Sequence, residues 1–308
     1  MELLNMNIKP VTRIQYANLD SQNVWGNKIS IGGRLYPRLE FETVKHSVRP
    51  CMISHEVNPN DLESYMRQLS KQGLILVPLK KETPQPDFSH SVIKYSGQGP
   101  FTYRCVVTKS TQLAEEFIHA DLVGDDIKIG ELLGFPKTSS EFFDKVWQQG
   151  YVDPIWQAAE NASEESIKFR KEMKDSQGNI ERNIIKIKSS EDFHKITPVF
   201  RYIGIRVLSH LPVSLDDKES LSVANNWIQL ANDLKLEGLN EALDILKLPY
   251  EWDCYKGYAE INTPVFKIIT SSMPCYPHHV VQQESDFYPK EAPNGIKFPW
   301  RNPLFGKL

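Results

Sequence analysis

The sequence predicts an α/β or α+β protein in two lobes. Residues 1–122 are expected to form a small mixed sheet with helices, and residues 123–308 a mainly helical lobe with one strand pair and an extended tail. Three observations lead there. Between residues 51 and 120, short β-branched apolar runs alternate with helical apolar stripes. From residue 125 the texture turns helical, with acids or hydroxyls ahead of each run. Residues 272–308 hold six of the 20 prolines and read as extended chain laid over the body.

The elements follow in order. Residues 1–50 look strand-rich and irregular: NKISIGGRLYPRLEFETV alternates in part and carries the turn signal Gly32-Gly33. CMISHEV is a short strand. NPNDLESYMRQLSKQG is a helix capped by Asn60 or Asp61, with Leu62, Tyr65, Met66 and Leu69 on one face and Gly73 at its stop. LILVPLK is a strand, which makes a strand–helix–strand crossover. YRCVVTK is a further strand and STQLAEEFIHADL a helix capped by Ser110 or Thr111. DDIKIGELLGF, TSSEFFDKVWQQG and DPIWQAAENAS read as helices. The charged stretch 163–190 reads as a solvated helix and a loop or hairpin, with acids and bases interspersed. A long helix follows Asp216-Asp217, then a shorter one between Gly238 and Pro249. Residues 256–271 read as strand or hairpin.

Composition narrows the function classes. The 308 residues are 40% apolar and 24% charged, ordinary for a chain that buries a core. With 36 basic and 39 acidic residues, the net charge of -3 disfavours nucleic acid as a general partner. The opening MELLNMNIKPVTRIQ lacks the apolar core of a signal peptide. No apolar run reaches about 18 residues, so no membrane span is expected. Cys51, Cys105, Cys254 and Cys275 lie far apart without a CxxC pair, as in a cytoplasmic protein with reduced thiols. GxGxxG, GxxxxGK[ST], HExxH and GxSxG are all absent, so no cofactor is favoured.

Three clusters hold reactive residue types. His46, Cys51 and His55 are metal-capable, but their spacing matches no compact zinc module. Cys275, His278 and His279 offer a CxxH pair whose remaining ligands would have to come from afar. The stretch LSHLPVSLDD places His210 before Pro212, Ser214, Asp216 and Asp217. Ser214 or Asp216 suits a helix N-cap, and the acids suit the positive end of the helix dipole. Capping explains the hydroxyl and the acids. It leaves His210 open to a role as general base or ligand contact.

Four ordered blocks, LLGFPKTSSEFF (132–143), SHLPVSLDDKES (209–220), YEWDCYKGYAEINTPVFKI (250–268) and YPKEAPNGIKFPW (288–300), carry a resemblance over a little more than half the chain. Together they resemble a family of uncharacterised microbial proteins whose first two blocks read Leu-Gly-Tyr/Phe-Pro-x-Cys-Cys and His-x-Pro-Cys-Ser-x-x-Cys. The family's four cysteines fall at Thr138, Ser139, Val213 and Asp217 here, so any thiol metal or redox site of the family would be lost as a unit, while His210, Ser214, Trp252 and Glu260 remain.

These readings combine into one expectation. The chain would be an enzyme acting on a small polar substrate in a cleft, by metal-independent transfer or hydrolysis. His210 would be acid or base, with Glu260 and Asp217 as carboxylate partners. Ser214, Arg206, Lys267 and Trp252 would bind the substrate. The alternative is a non-catalytic relative that binds a ligand or a partner protein. A third, a nucleic-acid binder or modifier, rests on the bases and aromatics of FRYIGIR and KFPWRNP.

Overall fold

The computed structural model describes residues 12–83, 95–148, 153–188, 190, 192–255, 257–271, 277–287 and 289. The α/β or α+β class holds, with helices and strands built around two sheets.

The smaller sheet has three strands, β1 of the larger sheet having preceded them in the chain. Its members are β2 (Cys51–Val57), β3 (Ile75–Glu82) and β4 (Thr102–Thr108), in the order β2-β4-β3. β4 runs antiparallel to both neighbours, so the sheet is antiparallel rather than mixed. The crossover through α2 (Leu62–Ser70) therefore joins β2 to β3 across an intervening strand. The pleat sends Met52, Leu76, Cys105 and Val107 toward α2, and Cys51 and Val106 toward α3 (Thr111–Val123) and α4 (Asp126–Leu132).

The larger sheet has seven strands in the order β1-β9-β8-β7-β10-β6-β5. They are β1 (Arg13–Tyr16), β5 (Ile167–Lys174), β6 (Ile180–Ile187), β7 (Tyr250–Tyr255), β8 (Tyr258–Asn262), β9 (Phe266–Ser271) and β10 (His278–Gln283). This corrects the expectation of one strand pair in a mainly helical lobe. Three segments supply the further strands. The charged stretch 163–190 is a β-hairpin, its register shifted at two places. The tail contributes β10, which sits between β7 and β6 and makes the sheet's one parallel pairing, with β6. Residues 13–16 join at the far edge, against β9.

Of the stretch before residue 50 that reads as strand-rich, residues 13–16 form β1, but residues 27–44 belong instead to one helix, α1 (Leu19–Lys45), capped by Asn18, whose side chain accepts from Ser21 N–H at 2.7 Å. Trp25, Gly32, Leu35, Tyr36, Leu39 and Thr43 are buried at helical spacing, while Pro37 is exposed. Gly32 makes no turn. A Cβ there would lie 3.2 Å from the backbone nitrogen of Ala242, so its lack of a side chain lets α1 press against α8 (Leu239–Leu246).

α1, α8, α6 (Pro154–Glu160) and α7 (Lys218–Asp233) cover one face of the larger sheet. Trp252, Ile261, Ile268 and Val281 point into that core from four adjacent strands. A short α5 (Lys137–Phe143) continues into a π turn over residues 144–148 and brings its first turn against the start of α7. Among the described residues, no helix is long and apolar enough to cross a membrane.

Candidate functional site

The expected site residues divide between two clusters on opposite faces of the larger sheet. His210, Ser214, Asp217 and Arg206 lie on the helix-covered side. Glu260 and Lys267 lie on the other. The pleat enforces this. Cross-strand partners share a face, and Trp252↔Ile261↔Ile268 occupies the apolar face one residue out of phase with Asp253↔Glu260↔Ile269. Glu260 is therefore no partner of His210. Trp252, expected to meet substrate, is fully buried in the apolar core, one residue away from the polar phase.

The far face is polar in nearly every register. From β7 it carries Glu251 and Asp253, from β8 Tyr258, Glu260 and Asn262, from β9 Lys267, and from β10 His278 and Gln282. Five of these eight are buried all the same: Asp253, together with Glu251, Asn262 and Lys267 at 0% exposure and His278 at 5%. They form pairs between neighbouring strands. Lys267 Nζ lies 2.5 Å from Glu260 Oε2. His278 Nε2 pairs with Asp253 Oδ1. Gln282 donates to Glu251 Oε2 at 2.7 Å. Both polar atoms of the Asn262 amide are buried with no hydrogen-bond partner among the described residues. The face is less enclosed toward the β7–β8 turn, where Tyr255, Tyr258 and Glu260 are partly exposed and the Tyr255 ring lies 5.2 Å from the His278 ring. A buried charge or amide costs several kcal/mol unless it is compensated. A face so constituted is a costly way to build a sheet, and a ready way to present acids, bases and hydrogen bonds to a polar ligand.

His278 and His279 are neighbours on one strand and point to opposite faces, so they do not chelate one ion. His279 stacks on Trp156 at 4.3 Å on the apolar side, and burial, then the neighbouring His278, pulls its pKa down to about 4. Cys275 lies outside the described residues. His46 approaches Glu42, His55 approaches Glu82, and Cys51 is buried in the small sheet. Among the described residues, no three His, Cys, Asp or Glu side chains gather as metal ligands.

On the helix-covered side, the loop 209–217 joins several elements. Asp217 is the N-cap of α7, accepting from the N–H groups of Glu219 and Ser220. Its Oδ2 also takes the Ser220 hydroxyl proton. The Ser220 oxygen must then accept from His210 Nε2, 2.8 Å away, which sets the imidazole as the Nε2–H tautomer. His210 Nδ1 is left as a buried acceptor with no partner. Burial, with Arg49 beside it, pulls the His210 pKa down to about 3, so the ring is neutral at physiological pH. Ser214 donates to Asp216, which also accepts from Ser163. Burial opposes the Asp216 charge, but the hydroxyls of Ser163, Ser214 and Ser166 hold its carboxyl below the usual range. Asp216, held by Ser214, thus ties the loop to the turn after α6, and Arg206 stacks on Tyr36 at 3.8 Å.

The first two motif blocks meet here. Thr138 donates to Glu219 at 2.8 Å, and Ser139 lies 3.4 Å from the Ser220 hydroxyl. Val213 accepts from Asn161. Ser220, Arg49, Asp253 and Asn262 escaped the sequence reading. For Asp253 and Asn262 a signal existed, the period-two polarity of YEWDCY and YAEIN. Arg49, remote in sequence from residue 210, left none.

Comparisons with protein-family models, with curated proteins and with solved structures returned no match.

Proposed function

We propose that this protein is an enzyme that carries out acid–base chemistry on a small polar substrate bound at the polar face of the seven-stranded sheet. The observation that carries the reading is the set of buried groups on one face: the Asp253–His278 pair, the Glu260–Lys267 pair and the unpartnered amide of Asn262. A carboxylate that holds an imidazole is the arrangement by which a histidine is oriented for proton transfer. Lys267 and Glu260 supply a second proton-transfer pair or hold a charged substrate group. Asn262 offers both a donor and an acceptor, which suits a hydroxyl or amide of the ligand. The partly exposed Tyr255 and Tyr258 mark the entrance.

A reading as a non-catalytic ligand-binding relative rests on a separate observation. At the positions where the resembled family carries cysteines, Thr138, Ser139 and Asp217 make capping and hydroxyl contacts that need no reaction. It would be such a relative's fold without the thiol site.

A thermal-shift screen of sugars, amino acids, carboxylic acids and nucleosides tests the location. Compounds that raise Tm for the wild type are expected to lose their effect in Asn262→Leu and Glu260→Gln, and to keep it in His210→Gln. Hits that survive both sheet-face substitutions would refute the site.

A further inference from the structure

On the other side of the sheet, a small cavity lies among Thr197, Arg201, Arg206, Ser209 and His210. It measures about 10 Å³, room for one water-sized group. Its surroundings are cationic. Arg49, buried, lies behind it, donating to Ser209 Oγ at 3.2 Å and pairing with Glu40 at 3.0 Å. Arg201 and Arg206 stand close enough that Arg206, after burial, pulls Arg201 below the ordinary arginine value. Among the described residues, no carboxylate lies within ion-pair distance of Arg201, although the Asp153 charge partly offsets that lowering, and the Arg201 Nε has no hydrogen-bond partner. Ser209 accepts from Arg49, which leaves its own proton to donate. Beside these donors stands an acceptor with no hydrogen-bond partner among the described residues, His210 Nδ1, whose other nitrogen is committed to Ser220.

We propose that this cavity is a binding site for a small oxyanion that keeps one O–H at neutral pH, the chemistry shared by hydrogen phosphate and bicarbonate. The O–H enters the cavity and donates to His210 Nδ1. The negative oxygens sit at the mouth, against the Arg201 and Arg206 guanidiniums and the Ser209 hydroxyl. The acceptor confers selectivity. An anion without a proton would turn an oxygen lone pair toward the lone pair of Nδ1, leaving a buried acceptor unsatisfied and repelled. The site is separate from the sheet-face reading and does not depend on it.

Calorimetric titration at pH 7 and constant ionic strength tests it with matched anions: phosphate against sulfate, both tetrahedral, and bicarbonate against nitrate, both planar. One protonated anion is expected to bind near 1:1 and at least tenfold tighter than its proton-free counterpart, and the better pair identifies the ligand. Arg201→Gln, at a partly exposed position, is expected to weaken that binding at least tenfold. His210→Phe keeps a ring but not the acceptor, and should abolish the discrimination; should it fail to fold, the wild-type selectivity and Arg201→Gln still decide. Equal affinity for both members of each pair, no binding of any of the four, or unchanged binding by Arg201→Gln would overturn the site.

Discussion

The Ser220 hydroxyl stands between His210 and Asp217, 2.8 Å from His210 Nε2, and donates its own hydrogen bond to the carboxylate. That contact decides the tautomer of a buried histidine. Ser220→Ala is expected to cost about 1–3 kcal/mol in urea unfolding, since a buried donor and a half-buried carboxylate each lose a partner. It should also move the imidazole nitrogen resonances of His210. A variant with wild-type stability and an unmoved spectrum would mean the contact does not govern the ring.

Asp217 serves α7 twice, as the cap and as the acceptor for Ser220. Asp217→Ala is expected to lower stability by about 2 kcal/mol, the upper range for a lost N-cap. Asp217→Asn should lose less, because its amide oxygen still accepts from the helix N–H groups. Equal losses for the two would argue that charge, and not capping geometry, is what matters.

Stability should fall with acid through the histidines. His210 is held at about 3 in the folded protein against 6.5 when unfolded, and His279 at about 4. As pH drops below about 6.5, the unfolded chain takes up protons that these two rings in the fold refuse. Each then costs about 1.4 kcal/mol per pH unit until its folded value is reached. Unfolding free energies between pH 4.5 and 7 should therefore show a flatter slope in His210→Gln than in the wild type. Parallel slopes would contradict a buried neutral ring.

Gly134 shows how tightly the first motif block holds Arg49. Its φ is +74°, and a Cβ would stand 2.7 Å from the Arg49 Cβ. Gly134→Ala should cost about 2 kcal/mol or more, from backbone strain plus displaced packing. It should also disturb fluorescence from Trp227, over which the Arg49 guanidinium lies at 4.9 Å. An unchanged Tm would show that the strand and helix ends can part without penalty.

The α/β class, most helices of the chain and the small sheet were legible because their caps and apolar stripes agree with the fold. The larger sheet was less so. α1 carries Gly32-Gly33, which reads as a turn; Gly32 is instead a close-packing position against α8, and Pro37 falls at an exposed position of the helix. β10 lay among prolines, where extended chain was expected, and its pairing with β6 is set only by distant residues. Among the site residues, Glu260 and Lys267 were singled out for separate roles, and their pairing with each other and separation from His210 depend on the pleat phase of strands that propensity alone did not establish.

The central claim is that the polar sheet face, with His278 held by Asp253, performs the chemistry. The direct measurement is turnover of a pooled set of small polar metabolites, followed by mass spectrometry, for the wild type and for His278→Asn. The account predicts that at least one compound is consumed by the wild type and that His278→Asn slows its consumption at least a hundredfold, the scale of a lost general acid–base group, while far-UV circular dichroism stays unchanged. Full turnover by a folded His278→Asn protein, or no turnover of any compound by the wild type, would contradict it.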